Sequence, residues 1–407
     1  MFIGATLAVA VSATRLYVSS YAGNITTLEL TNTNGTYNLA QIDTNSGCAP
    51  NASWLHIDAK FQNMYCLDEN SASLTNGSLN SFKIDAKSGA LTKVKRLITP
   101  AAPVNSIIYT SPNGSQLLAV AHYTHAFTTW TLDPATASFA PLQTFNFTGS
   151  PGLKPQQAFP HPHQVRLDPS NKYFVIPDLG ADLIRVFYID PLTLLVSPRP
   201  SIPVVPGSGP RHGIFSTHGS GSYNTSTYYY LVTEIGSTLT GYHVNYLPSN
   251  GGLRLTTTFN STTYGHGQGN AFAYNAASEI ALTSDGKSLI VSNRNTTYFN
   301  ITNPNPNNAT LEPSDAMATF EIGLNGTARF GALSPAGGSF PRQFSPNRRG
   351  NLVAVGLQKS GRVIIYGRCE STGDLGNKVL ADFEGLGPVT SVVWAEDGGV
   401  AHSQEGG

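Results

Sequence analysis

The chain predicts an all-β fold, a seven-bladed propeller of four-stranded antiparallel blades, and three observations carry that expectation. A pattern of short strands recurs from end to end at intervals of about 50 to 60 residues, the spacing of propeller blades. Within each copy, β-branched and aromatic residues alternate or run for five or six positions between turn residues, and helical periodicity is nowhere sustained. The chain also begins and ends out of phase with its own repeat. A length of 407 residues would ordinarily mean two or three domains, but radial repetition lets one propeller domain grow by adding blades.

The clearest copy of the repeat is His163-Gln-Val-Arg-Leu-Asp-Pro169, then Tyr173-Phe-Val-Ile-Pro-Asp178, then Asp182-Leu-Ile-Arg-Val-Phe-Tyr188. These are strands A, B and C of one blade, with A innermost. Further A strands begin near Ser53, Ser106, His212, Glu279, Arg342 and Ser391, and further B strands near Leu16, Met64, Leu117, Tyr229, Leu289 and Leu352. The chain opens on a B strand, Leu16–Ser20, and closes on an A strand that begins at Ser391. The C-terminal strand is therefore expected to complete the first blade, which removes the open edge between first and last blades.

That closure leaves residues 1–13 unnecessary to the fold. They form an apolar run ending in Val11-Ser12-Ala13, a small-x-small pattern that reads as a signal-peptide cleavage site, although no Lys or Arg precedes it. The plain alternative is a first β-strand. Residues 14–407 are then a single propeller domain. Asn-x-Ser/Thr sequons recur at Asn24, Asn34, Asn51, Asn76, Asn113, Asn146, Asn224, Asn260, Asn295, Asn300, Asn308 and Asn325. Their density fits a secreted, N-glycosylated chain in which glycan replaces charge as the solubiliser. Charged residues are only 12% of the chain, and 24 Lys plus Arg balance 24 Asp plus Glu. Bulk electrostatics therefore favours neither a nucleic acid nor a membrane surface as partner. Of three cysteines, Cys48 and Cys66 are close enough to bridge neighbouring strands, which leaves Cys369 over. No spacing resembles a metal site, and no cofactor is expected.

In antiparallel blades the A-strand starts and the B-strand ends share one rim near the axis. That rim collects His161, His163, Arg211, His212, Glu279, Arg342 and Gln343 from A-strand starts, and Glu69, His122, Asp178, Glu234, Arg294 and Gln358 from B-strand ends. In a chain this poor in charge, such enrichment is the most specific functional signal. Ordinary roles compete with it. A rim Arg can simply bridge blades through backbone carbonyls, Glu279 can pair with a neighbouring Arg, Asp178 sits in a turn sequence, and His161 precedes a proline. His163 and Glu234 have no such local explanation. A His shuttles protons near neutral pH, a partly buried carboxylate can act as a base, and two Arg can hold a carboxylate or a developing oxyanion.

These residues also carry a resemblance. Phe159-Pro-His-Pro-His-Gln-Val-Arg-Leu-Asp-Pro169 with Pro177-Asp-Leu-Gly180, Gly209-Pro-Arg-His212, Val232-Thr-Glu234, Ser278–Gly286 with Val291-Ser-Asn-Arg294, and Pro341-Arg-Gln-Phe344 resemble the lactonase family of seven-bladed propellers. That family includes bacterial 6-phosphogluconolactonases and fungal carboxy-cis,cis-muconate cyclases. The resemblance spans the chain and is strongest from about residue 155 to 366. It implies catalysis without a metal, by His163, Glu234, Arg211 and Arg294. His122, His161, His212, Arg342 and Gln358 are expected to contact the substrate. Two departures bear on the substrate. The stretch from His218 to Thr227 is lengthened and rich in Gly, Ser and Thr, and Asn295–Pro313 is inserted between strands B and C of the sixth blade, as a lid or a glycosylated wall.

Three functions compete. The first is hydrolysis of a sugar-acid lactone, with His163 or Glu234 activating water and the Arg pair stabilising the oxyanion. The second is lactone formation from a carboxymuconate, which belongs to intracellular catabolism and sits poorly with secretion. The third is a non-catalytic surface or secreted glycoprotein, against which the intact quartet of rim residues counts. The expected partner is a small lactone or carboxylate.

Overall fold

The computed structural model describes residues 11–396 apart from positions 72, 74, 220–224, 266–273, 304–306 and 370–372. Seven four-stranded antiparallel sheets are arranged as blades. The innermost strands run Val389–Trp394, Ala52–Asp58, Pro103–Thr110, Arg166–Leu167, Pro210–Gly219, Ala276–Leu282 and Pro341–Pro346 for blades 1 to 7. Three short 3-10 turns are the only helical elements among the described residues.

Closure runs as the repeat phase requires. Val389–Trp394 pairs antiparallel with the first strand of the chain, Val11–Ser20, in the register Leu16↔Trp394, Val18↔Val392 and Ser19↔Ser391. The first strand starts earlier than the sequence pattern suggested. Val11, Ser12 and Ala13 pair with Thr33, Asn32 and Thr31, so the tripeptide with the cleavage pattern belongs to a strand. Residues 1–10 and the Asn224 sequon lie outside the described residues.

Two devices hold the blades together. Seven apolar clusters, one in each blade interface, bury the faces that the alternating strand pattern creates. The interface of blades 7 and 1, for example, packs Leu352, Val363 and Ile365 against Leu16, Leu28 and Trp394. Burial of side chains of this size contributes about 1.5–3 kcal/mol each. Around the axis, one side chain from each innermost region then bonds to the backbone of the next blade. Thr390 donates to Ala52 O at 2.6 Å and Ser53 to Pro103 O at 2.7 Å. Asn105 Oδ1 accepts from Val165 N at 3.0 Å, and Gln164 Oε1 from Gly213 N at 2.7 Å. Arg211 Nη1 donates to Ser278 O at 2.7 Å and Ser278 Oγ to Arg342 O at 2.6 Å, and Gln343 Oε1 accepts from Val392 N at 2.7 Å, which closes the ring.

Several innermost strands enter the sheet through a β-bulge. The register shifts between Ala52 and Trp54, Pro103 and Asn105, Pro210 and His212, Ala277 and Ile280, and Pro341 and Gln343. A bulge leaves a residue unopposed and re-aims its side chain. The residues so released include Ser53, Arg211, Glu279 and Arg342. In blade 4 the regular strand shrinks to Arg166–Leu167, preceded by an isolated Pro162↔Asp178 bridge, because Pro160 and Pro162 lack the amide hydrogens that a ladder needs.

A disulfide joins Cys48, in the loop entering blade 2, to Cys66 in that blade's second strand. Cys369 is exposed and lies outside that bond. In blade 6 the segment between second and third strands forms a small hairpin, Phe299–Ile301 with Glu312–Ser314. Arg362 pins it through Glu312, at 2.8 Å.

Candidate active site

The bulges and the B-strand ends deliver charged side chains to one mouth of the axis. Gly209 shows how the backbone prepares this. Its φ is +63°, and a Cβ there would lie 2.8 Å from Ile235, so only glycine makes the turn. Its carbonyl accepts the Glu234 amide at 2.7 Å, which fixes Glu234 beside the Arg211 bulge. Gly180 plays a similar part in blade 4. A Cβ there would sit 1.8 Å from Phe159 O, and this close approach lays the Phe159–His163 segment over the turn. Asp178 then accepts from His161 N at 2.6 Å and Ala181 N at 3.0 Å, and pairs with Arg185 at 2.7 Å. Asp178 is thus a clamp for the His161–His163 segment, in keeping with its turn sequence.

Four of the residues expected from the sequence come together from three blades. Glu234 Oε2 receives Arg211 Nε at 2.8 Å and Arg294 Nη2 at 2.8 Å. The arginine side chains are 3% and 6% exposed and the Glu234 side chain 26%, so the pair is approached from solvent over the carboxylate. Both arginines also donate to main-chain carbonyls, Arg211 to Ser278 O and Arg294 Nε to Ala276 O at 3.0 Å. The ordinary role of a rim arginine and the site role therefore coexist in the same side chains. Burial acts to raise the Glu234 pKa, but Arg294 and Arg211 outweigh it and hold the carboxyl below its usual value. Burial, reinforced by Arg294, pushes Arg211 down to about 9, which leaves it cationic at neutral pH.

His163 stands next to this trio, linked through its Nδ1 to His212 Nε2 at 3.1 Å. Burial, followed by the neighbouring Arg211, His212 and Arg342, drives its pKa well below the usual imidazole value, so it is neutral at pH 7. Across the mouth, Arg342 lies over the Tyr21 ring at 5.0 Å and 3.9 Å from Glu69, whose other oxygen takes the Tyr21 hydroxyl. Burial opposes the charge on Arg342, but Tyr21, Glu69 and Glu234 more than compensate.

The remaining expected contacts divide. Arg342 is on the rim, and its side chain is 17% exposed. Gln358 is half-buried there, its amide bonded to Phe340 O, with the Phe340 ring 4.9 Å from the Arg294 guanidinium. His122 is not on the rim. It is fully buried, with Nδ1 3.0 Å from Pro100 O and Nε2 2.9 Å from Thr128 Oγ1, so both nitrogens are already used. His212 is also removed from substrate reach. It is 2% exposed behind His163, with Nδ1 2.9 Å from Glu279 Oε1. Glu279 accordingly pairs with a histidine and not with the neighbouring arginine that the sequence suggested. His161 is buried, stacks on Tyr123 with ring centroids 4.0 Å apart and has Nδ1 2.5 Å from Tyr123 O, so it supports that tyrosine.

Tyr123, like Tyr21, is a residue that sequence reasoning missed. Its ring lies 5.7 Å from that of His163, and its phenol, pushed by burial up to about 12, feels the charges of Glu234, Arg211, Glu69 and Arg294. The signal was one residue away. Tyr21, Glu69, Tyr123 and Glu234 each stand immediately after the last residue of a B strand, and a slip of one along a strand points a side chain to the opposite face. Among the described residues, no group of three His, Cys, Asp or Glu side chains is arranged to hold a metal ion.

Comparison with known proteins agrees with this architecture. Residues 15–393 match the model of the family described as "Lactonase, 7-bladed beta-propeller". The chain is 30% identical over 281 residues to a protein of Arthroderma benhamiae named "Probable 6-phosphogluconolactonase", a match covering 68% of this chain and 66% of that one. It is 28% identical over 338 residues to the 6-phosphogluconolactonase of Formosa agariphila, covering 80% and 83%. The periplasmic gluconolactonase of Pseudomonas aeruginosa superposes with a TM-score of 0.75 over 94% of this chain and 99% of that one; at 23% identity the likeness is one of fold. The chain belongs to the lactonase family of seven-bladed β-propellers.

Proposed function

We propose that the protein is a secreted lactonase that hydrolyses the lactone of a sugar acid, without a metal. The observation that carries this reading is the Arg211–Glu234–Arg294 trio beside a neutral, buried His163. Glu234 is held ionised between two guanidinium groups, which makes it a weak base and a good anchor. His163 is the better base, because its neutral imidazole has a nitrogen, Nε2, not used by His212. His163 takes a proton from water as the water oxygen attacks the lactone carbonyl carbon. The carbonyl electrons move onto oxygen, and the two arginines stabilise the oxyanion in a site of low exposure. On collapse the carbonyl–ring oxygen bond breaks, His163 returns its proton to the leaving alkoxide, and a hydroxy acid is released. Arg342, paired loosely with Glu69 across the mouth, is placed to bind the hydroxyl groups or the anionic end of the substrate.

Secretion is supported by the Cys48–Cys66 disulfide, since such bonds persist in oxidising compartments. The sequons Asn34, Asn113, Asn295, Asn300 and Asn308 are on exposed residues, which suits N-glycosylation. Ser12 and Ala13 are exposed, and cleavage after Ala13 would leave the closing register at Leu16–Ser20 intact. The name of the P. aeruginosa neighbour, a periplasmic gluconolactonase, fits the same setting.

The test is turnover of gluconolactone, cellobionolactone, 6-phosphogluconolactone and carboxymuconate by purified protein. Hydrolysis of an unphosphorylated aldonolactone supports the reading. Preference for the phosphorylated lactone moves it to the activity named in the relatives, and turnover of carboxymuconate alone replaces hydrolysis with cyclisation.

A further inference from the structure

Two buried groups, Glu279 and His212, have no part in the chemistry above. We infer that they are positioning residues of a Glu279–His212–His163 relay that fixes the tautomer of His163 and stabilises the cation formed on it; this rests on the lactonase reading for its kinetic consequence. The geometry is continuous. Glu279 Oε1 lies 2.9 Å from His212 Nδ1, and His212 Nε2 lies 3.1 Å from His163 Nδ1. The three residues are 2%, 2% and 7% exposed, so water does not compete for these bonds.

Donor and acceptor rules then assign every proton. A carboxylate only accepts, so His212 carries its hydrogen on Nδ1. Neutral His212 therefore presents a lone pair at Nε2, and His163 donates to it from Nδ1. The bare nitrogen of His163 is consequently Nε2, the one directed away from the relay. His212 is the side-chain acceptor that selects this tautomer, and the Nε2–H form cannot act as a base toward water.

The relay also answers an electrostatic difficulty. When His163 takes a proton at Nε2 it becomes an imidazolium facing Arg211 and Arg342, which oppose it. Tyr123 from blade 3 and His161 from its own segment offer no negative charge. On the mouth side the Glu234 carboxylate is taken up by Arg211 and Arg294, so the carboxylate of Glu279, two hydrogen bonds away, is the compensating group behind the ring. Its Oε1 also accepts from Ile280 N at 3.0 Å, while its Oε2 is buried with no hydrogen-bond partner among the described residues. The proton gained at Nε2 is the one later passed to the alkoxide. The bulge that leaves Ser278 and Glu279 unopposed is what turns Glu279 toward His212.

Two measurements test the relay. Long-range 1H–15N correlation on the 15N-labelled protein is expected to show His163 protonated at Nδ1, and to show that preference lost in His212→Phe, which keeps a ring against Trp54 but removes the acceptor. Glu279→Gln is expected to lower kcat on gluconolactone by roughly 10- to 100-fold with KM nearly unchanged, part of what a general base contributes. It should also move the acid limb of kcat to lower pH, because the lost carboxylate no longer favours the protonated histidine pair, which titrates as a unit. A merely structural role would lower the melting temperature and leave the acid limb and the kcat of folded protein in place. An Nε2–H tautomer in the wild type, or a Glu279→Gln variant with wild-type kcat and pH profile while His163→Ala is inactive, overturns the relay and leaves the lactonase reading standing. A wild type inactive on every lactone sinks that reading, and the tautomer assignment then decides the relay alone.

Discussion

The ring of ties around the axis and the charged mouth above it are built from neighbouring residues of the same strand starts, yet they use different chemistry. Six of the seven ties come from neutral side chains: Thr390, Ser53, Asn105, Gln164, Ser278 and Gln343. The mouth is made of Arg211, Arg294, Arg342, Glu234 and Glu69. Arg211 alone belongs to both, through Ser278 O and Glu234. The contrast teaches where a protein with few charges spends them. Neutral hydrogen bonds, worth about 1 kcal/mol each, suffice to align blades that apolar clusters already hold. Buried ion pairs add little to stability over apolar packing, and simple pairs such as Arg362–Glu312 and Arg368–Asp285 occur outside the mouth; what sets the mouth apart is two buried arginines converging on one oxygen of a carboxylate open to solvent.

The comparison breaks first at Arg211. Arg211→Ala is expected to lose both roles. Lactone turnover should fall by at least 10²–10³, the usual loss for an oxyanion donor. Stability should fall by roughly 3–5 kcal/mol, as for a broken buried pair, measured by denaturant unfolding. A variant with lost turnover and unchanged stability would mean the tie to Ser278 O is idle.

Acid sharpens the comparison next. Burial pushes His56 and His122, both away from the mouth, down to about 4 from an ordinary 6.5. Below pH 6.5 the unfolded chain takes up protons that the folded chain refuses, so stability falls as pH drops from about 6.5 toward 4. Each histidine accounts for roughly 3 kcal/mol across that window. Glu234, with a depressed pKa, keeps its contribution until lower pH. Melting curves from pH 7 to 4 should show this loss, and His122→Gln should flatten it; an unchanged slope would show that His122 titrates normally.

The smallest effect belongs to a pure tie. Ser53→Ala removes the bond to Pro103 O and should cost about 1–2 kcal/mol, a few degrees in melting temperature, with lactone turnover within about twofold of wild type. A large loss of turnover would show that the ring of ties and the mouth are not separable.

The propeller was legible because its period repeats seven times and its ends are out of phase, and the mouth was legible because charge is scarce elsewhere. What sequence reasoning lost were single-residue registers. His122 was chosen where Tyr123, one residue on, faces the mouth. Glu279 was assigned to an arginine because the bulge at Ala277/Ile280 that turns it to His212 leaves no mark in the alternation. The short blade 4 strand follows from its prolines, but the clamp made by Asp178 depends on Gly180 meeting Phe159 O, a contact between loops. Strand pattern encodes which face is buried; it does not encode where a bulge inserts one extra residue.

The most direct test of the central claim, that the charged mouth performs lactone hydrolysis, is kcat/KM of wild type and Arg294→Ala on an aldonolactone, with melting temperatures of both. Arg294 bonds within its own blade and to Glu234 and contributes no tie between innermost strands. The account predicts active wild type and a fall of about 10²–10³ in the variant, which stays folded with a melting temperature only a few degrees lower. Turnover within about twofold of wild type in folded Arg294→Ala would contradict it.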